Sequence, residues 1–201
     1  DSHRSMRAVF DHSWTLLTPE EQAVFRALAV FRDGFERDAA QRIANASLQT
    51  LTALVDKSLL QWNAAGRYDL HELLRQYAEQ QLESASESAD ACAAHSTYYM
   101  DFLARRDADL KGRRQIAAVN EIRTDFENIR AAWIWAQEHR QYNAISQAVN
   151  CLLNFTEMSF SLLDVLTLLQ QTVATGCIRV WGRRRGRLER DKVEKRDGVK
   201  E

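Results

Sequence analysis

The chain has 201 residues, 45% of them hydrophobic, with 27 Lys and Arg against 28 Asp and Glu for a formal net charge of −1. That is enough apolar material for one large or two small soluble domains. Nothing near the start has the basic-then-apolar pattern of a secretion signal, and three widely spaced cysteines, Cys92, Cys151 and Cys177, exclude a disulfide framework and fit a reducing cytoplasm. Asp1 in first place points to a segment of a longer polypeptide.

In chain order, Met6, Val9, Phe10, Trp14 and Leu17 form a first amphipathic set. The only proline, Pro19, follows Thr18 and precedes Glu21, a capping box with proline at the first helical position. A helix therefore starts there, buries Val24, Ala27, Leu28 and Phe31, and stops at Asp33-Gly34. A helix over about 37–45 follows, then one from the cap Ser47 to Lys57, with Leu48, Leu51, Leu54 and Val55 facing inward.

Leu51 to Ala78 reads as the end of that helix, a strand, a turn at Asn63 to Gly66, a strand, and a new helix opening at His71. This is the second half of a winged helix, with the hairpin as its wing. A helix start presents unpaired N–H groups and partial positive charge, so it favours anions, and an imidazole there adds one directed donor. His71 is accordingly either a phosphate contact or a plain helix cap.

The helix from Ser47 to Ser58 occupies the position that reads DNA in such folds. It offers only Gln49, Lys57 and Asp56, and the wing tip adds only Arg67. Because phosphate neutralisation supplies most nonspecific affinity, duplex DNA is not expected to be a partner of this winged helix.

The segments ALVDKSLL, YDLHELLRQYA, FDHSW and AVFRDGF resemble the winged-helix domain of STAND signalling ATPases, the class that includes NB-ARC proteins and bacterial multidomain regulators. That family opens the post-wing helix with Met-His-Asp; here Leu70, His71 and Glu72 stand there. The resemblance implies that His71 contacts the β-phosphate of ADP held by an upstream nucleotide-binding domain of the same polypeptide, with ADP or ATP as that parent protein's cofactor and none bound within this segment.

Small polar residues from Ser84 to Ser88 mark a boundary, giving a winged helix over 1–85 and a helical region over 86–178. One helix is expected over about 89–110. A second, over about 115–139, places Ile122, Phe126, Ile129, Trp133 and Ala136 on one face. Ala144 to Leu152 begin a third and Phe160 to Val173 supply a fourth. The fold class is thus mainly α, with one small hairpin followed by an antiparallel solenoid-like array. DFENIRAAWIWAQEH resembles the opening of the tetratricopeptide-like sensor region of bacterial STAND proteins, which implies a protein or small-molecule signal received by the array. Asn154, Glu157 and Asp164 interrupt the most apolar stretch, Cys151 to Val173, so no membrane span is expected.

Residues 179–201 carry ten Lys or Arg and five Asp or Glu, leaving the first 178 residues at −6. This basic tail is expected to be disordered, and Arg183, Arg184, Arg185 and Arg187 beside Trp181 are candidate nucleic-acid contacts. No P-loop, nucleophile elbow or zinc-ligand run is present, so the segment itself is expected to be non-catalytic and metal-free. Three readings remain: a regulatory segment of a STAND ATPase, a winged-helix transcriptional regulator module that binds nucleic acid, or a plain helical scaffold in which His71 is only a cap.

Overall fold

The computed structural model of the chain describes residues 2–158, 165, 167–170 and 172. It is mainly α. Helices α1 (Ser2–Thr15), α2 (Pro19–Ala27), α3 (Arg37–Ala44) and α4 (Leu48–Asp56) precede the hairpin β1 (Gln61–Trp62) and β2 (Tyr68–Asp69). Helices α5 (Glu72–Ser84), α6 (Ser88–Leu110), α7 (Gln115–Thr124), α8 (Phe126–Glu138) and α9 (Tyr142–Met158) follow.

The helix starts obey the chemistry of their first residues. Thr18 Oγ1 accepts from the Glu21 N–H at 3.2 Å while Glu21 Oε2 accepts from the Thr18 N–H at 2.8 Å, closing the expected box. Thr18→Ala is expected to cost about 1 kcal/mol, read as a lowered thermal midpoint. Ser47 caps α4 by accepting from Thr50 N–H at 3.0 Å.

Helix α2 ends sooner than its apolar spacing suggests. After Ala27 the chain tightens into a buried 3₁₀ turn, Leu28–Val30, and then runs extended at Phe31. Asp33 and Gly34 adopt φ of 61° and 79°. Gly34 is required on two counts, because a Cβ there would also lie 2.9 Å from the Tyr68 carbonyl oxygen. The turn delivers Phe35 to β2, where Phe35 and Tyr68 exchange two backbone hydrogen bonds of 2.9 Å. This rung gives the wing a third edge that periodicity does not predict.

In the hairpin, Trp62 lies opposite Tyr68 and Gln61 opposite Asp69. Asn63 Oδ1 accepts from the N–H groups of Ala65 and Arg67, each at 3.0 Å, and Gly66 takes φ of 76° to complete the turn. On the other side, α1 rests on α5 through Phe10 and Trp14 against Tyr77, with ring centroids 5.7 and 6.2 Å apart. Val9, expected on the buried face, is 60% exposed, and Leu48 at the start of α4 is 49% exposed.

Helix α6 is the hub of the second half and packs against α7, α8 and α9. The single helix expected over 115–139 is kinked at Asp125 into α7 and α8, although the Asp125 and Ile129 amides still reach back four residues to Glu121 and Asp125. Asp125 turns there because its side chain is held elsewhere, as described below. Trp133, fully buried, donates from Nε1 to Thr172 Oγ1 at 2.9 Å. Cys92 and Cys151 are free thiols. The expected fourth helix is seen at 165, 167–170 and 172, while Gly176, Cys177 and the tail arginines Arg183, Arg184, Arg185 and Arg187 lie outside the described residues. Among the described residues no helix is long and apolar enough to cross a membrane.

Candidate nucleic-acid interface and its attachment to the helical array

Helices α3 and α4 meet through a short turn in which Asn45 takes φ of 52°. Thr50, Leu51 and Leu54 anchor α4 inward, leaving Leu48, Gln49, Thr52, Asp56 and Lys57 on the outer surface. Lys57 is not a free cation: its Nζ donates to both Glu21 oxygens at 2.7 and 2.6 Å. The lysine hydrogen bond and the Thr18 amide hold the Glu21 carboxyl below its ordinary value against the opposing effect of burial. On the wing, Trp62 is 54% exposed and stands edge-on to Tyr68 at 4.6 Å.

Arg67, expected at the wing tip, is instead buried, which corrects the sequence reading. Its side chain is 8% exposed and Nη2 donates to Asp125 Oδ1 at 2.7 Å. Burial works against its charge, but the hydrogen bond and attraction of Asp125 raise the guanidinium above its ordinary basicity. Asp125 also accepts from Tyr99 Oη at 3.4 Å and Asn128 Nδ2 at 3.3 Å. Burial and the neighbouring carboxylate push the Tyr99 phenol far up.

Asn128 extends this cluster into the winged helix. Its Oδ1 accepts from the Arg32 N–H at 2.7 Å, and its Nδ2 donates to the Gly34 carbonyl at 2.9 Å. His95 approaches the same oxygen at 3.3 Å and is edge-on to Phe31, 5.5 Å between centroids. Wing, interhelical loop and array therefore share one buried polar knot. None of His95, Tyr99, Asp125 or Asn128 stands out by residue type. The available signal is positional, since Asp125 falls in register with the apolar stripe of Ile122 and Ile129, and Asn128 stands at that stripe's edge, three residues after Asp125 and four before the buried Ala132.

The three residues expected at a phosphate site are adjacent but differently employed. His71 is exposed and caps α5, with Nδ1 accepting from the Leu73 N–H at 3.3 Å. Leu70 is buried. Glu72 is engaged by Arg75 through two bonds of 2.8 Å and by Gln76 at 2.7 Å, so its carboxyl is held down to about 2, chiefly by Arg75.

Among curated proteins, the chain is similar to three that bear the name "putative HTH-type transcriptional regulator", one from Mycobacterium bovis and two from strains of Mycobacterium tuberculosis. Each is 35% identical over 161 residues, covering 74% of this chain and 18% of the relative. The chain thus spans about a fifth of the length of the curated relatives it matches. No family model and no solved structure matches it. These names overturn the signalling-ATPase reading and its nucleotide-binding partner domain, which rested on the resemblance of ALVDKSLL, YDLHELLRQYA, FDHSW and AVFRDGF and on a triplet that departs from Met-His-Asp at Leu70 and Glu72. They equally correct the expectation that DNA is not a partner. That expectation weighed the small number of Arg, Lys, Asn and Gln side chains and the lack of net charge, whereas a single exposed amide such as Gln49 is already a reading group for a base edge.

Proposed function

We propose that the chain is the winged-helix and helical-array segment of a bacterial transcriptional regulator, acting in the cytoplasm by binding and not by catalysis, with α4 and the wing laid against duplex DNA. The observation that carries this reading is the α3–turn–α4 pair with an adjoining hairpin, in a chain whose relatives bear a transcriptional regulator's name. Gln49 and Thr52 supply hydrogen bonds to base edges, and Leu48 an apolar contact suited to a thymine methyl. Arg37, exposed at the start of α3, is placed for a phosphate.

With so few free cations on this face, the salt dependence of binding is expected to be shallow. Two phosphate contacts give a slope of log affinity on log salt of about −2. Fluorescence anisotropy on duplexes selected from a random pool tests this, with a variant neutralising Arg183, Arg184, Arg185 and Arg187 to separate tail-driven binding. In that background, Gln49→Ala is expected to relax sequence preference by roughly 1–3 kcal/mol at one base pair without changing the slope. Absence of salt-dependent association with any duplex would discard the reading.

A further inference from the structure

Between Gln61 and Asp69 the wing has one basic side chain, Arg67, and the fold turns it away from solvent. Its Nη2 is bonded to Asp125, but Nη1, also buried, has no hydrogen-bond partner among the described residues and comes no closer than 3.6 Å to Glu36 Oε1. A buried guanidinium with one edge unsatisfied has not recovered the full cost of leaving water. Its carboxylate partner is better provided for. If Arg67 left, Asp125 would keep the Tyr99 hydroxyl and the Asn128 amide as donors. Glu36, whose side chain is 61% exposed, lies on the unsatisfied edge and marks the way out.

We propose that Arg67 is a DNA-phosphate contact of the wing that the helical array keeps masked through Asp125, so that the same arginine is exchanged between the array's carboxylate and a duplex backbone. This rests on the DNA-binding reading above. A phosphate offers the guanidinium the bidentate pairing that Asp125 does not complete. The exchange also accounts for the shortage of free cations on the outer face of α4 and the wing, since one cation is stored inside the molecule.

The test is fluorescence anisotropy of the full chain on one duplex across a salt series. Asp125→Asn, which keeps shape and removes the masking charge, is expected to tighten binding roughly fivefold and to steepen the salt slope by about one phosphate. Arg67→Gln combined with Asp125→Asn is expected to lose both gains. Asp101→Asn on the exposed face of α6 is the charge-matched control and is expected to show neither. Hydrogen exchange supplies a second measurement: amides of 61–69 are expected to exchange faster in Asp125→Asn while those of α6 and α8 do not. Should Asp125→Asn fail to fold, Asp125→Ser takes its place.

A folded Asp125→Asn protein with wild-type affinity and slope overturns masking while leaving the DNA-binding reading intact. Duplex binding by none of the proteins, wild type included, overturns both.

Discussion

Asn128→Ala is expected to lower the free energy of unfolding by about 3 kcal/mol, because it orphans one buried and one half-buried backbone group at once. The Arg32 N–H loses its acceptor at 2.7 Å and the Gly34 carbonyl its donor at 2.9 Å. Neither has another bond that substitutes, since Gly34 sits at φ of 79° in a turn that cannot re-pair along a ladder. Urea denaturation measures the loss, and an unchanged slope with a lowered midpoint shows that stability alone has altered. Asn120→Ala, exposed on α7, is the comparison and is expected to stay within about 0.5 kcal/mol of wild type. Equal midpoints for the two variants would mean that the array does not hold the 31–35 loop in place.

The second large effect is a loss of stability in mild acid, centred on His95. Burial depresses its basicity first, the charge of Arg32 adds to that, and the Asn128 hydrogen bond only partly opposes it, leaving the folded value at about 4 against an ordinary 6.5. Between those values the unfolded chain binds a proton that the folded one refuses. Stability is therefore complete above about pH 7 and falls as the pH drops toward 4, by on the order of 3 kcal/mol. The carboxylates act in a different window. Glu21, Glu72 and Glu87 are all held below 4.5 by basic partners, so their contribution is present above that pH and lost only beneath it. His95→Gln is expected to flatten the curve between pH 6.5 and 4.5 and to leave the steeper acid limb below. Denaturation midpoints at half-unit pH steps distinguish the two, and a wild-type curve already flat above pH 4.5 would refute the assignment.

Much of the fold is legible in the residues themselves. Caps announce α2 and α4 because Thr18 and Ser47 act locally, through bonds to their own neighbours. The wing is legible for the same reason, its turn being written in Asn63 and Gly66. What is not legible is whatever depends on contacts remote in sequence. A single rung between Phe35 and Tyr68 has no period to detect, and the kink at Asp125 follows from an arginine 58 positions earlier. The site suffers most from this. A wing arginine reads as a surface charge until the partner that buries it is in view, and an imidazole at a helix start reads equally as a ligand or as a cap, until its Nδ1 is seen to accept from Leu73. The motif words around His71 pointed to a nucleotide switch, where the similar curated proteins bear a transcriptional regulator's name.

The long separations in the polar knot also bear on how the protein is made. Gly34 is 94 positions from the amide that satisfies it. At ribosomal speed that is a wait of roughly five to twenty seconds, during which water must occupy the place of Asn128. The first helices therefore leave the ribosome as an unfinished surface, open to chaperones and proteases until the tryptophan-bearing helix arrives to seal it.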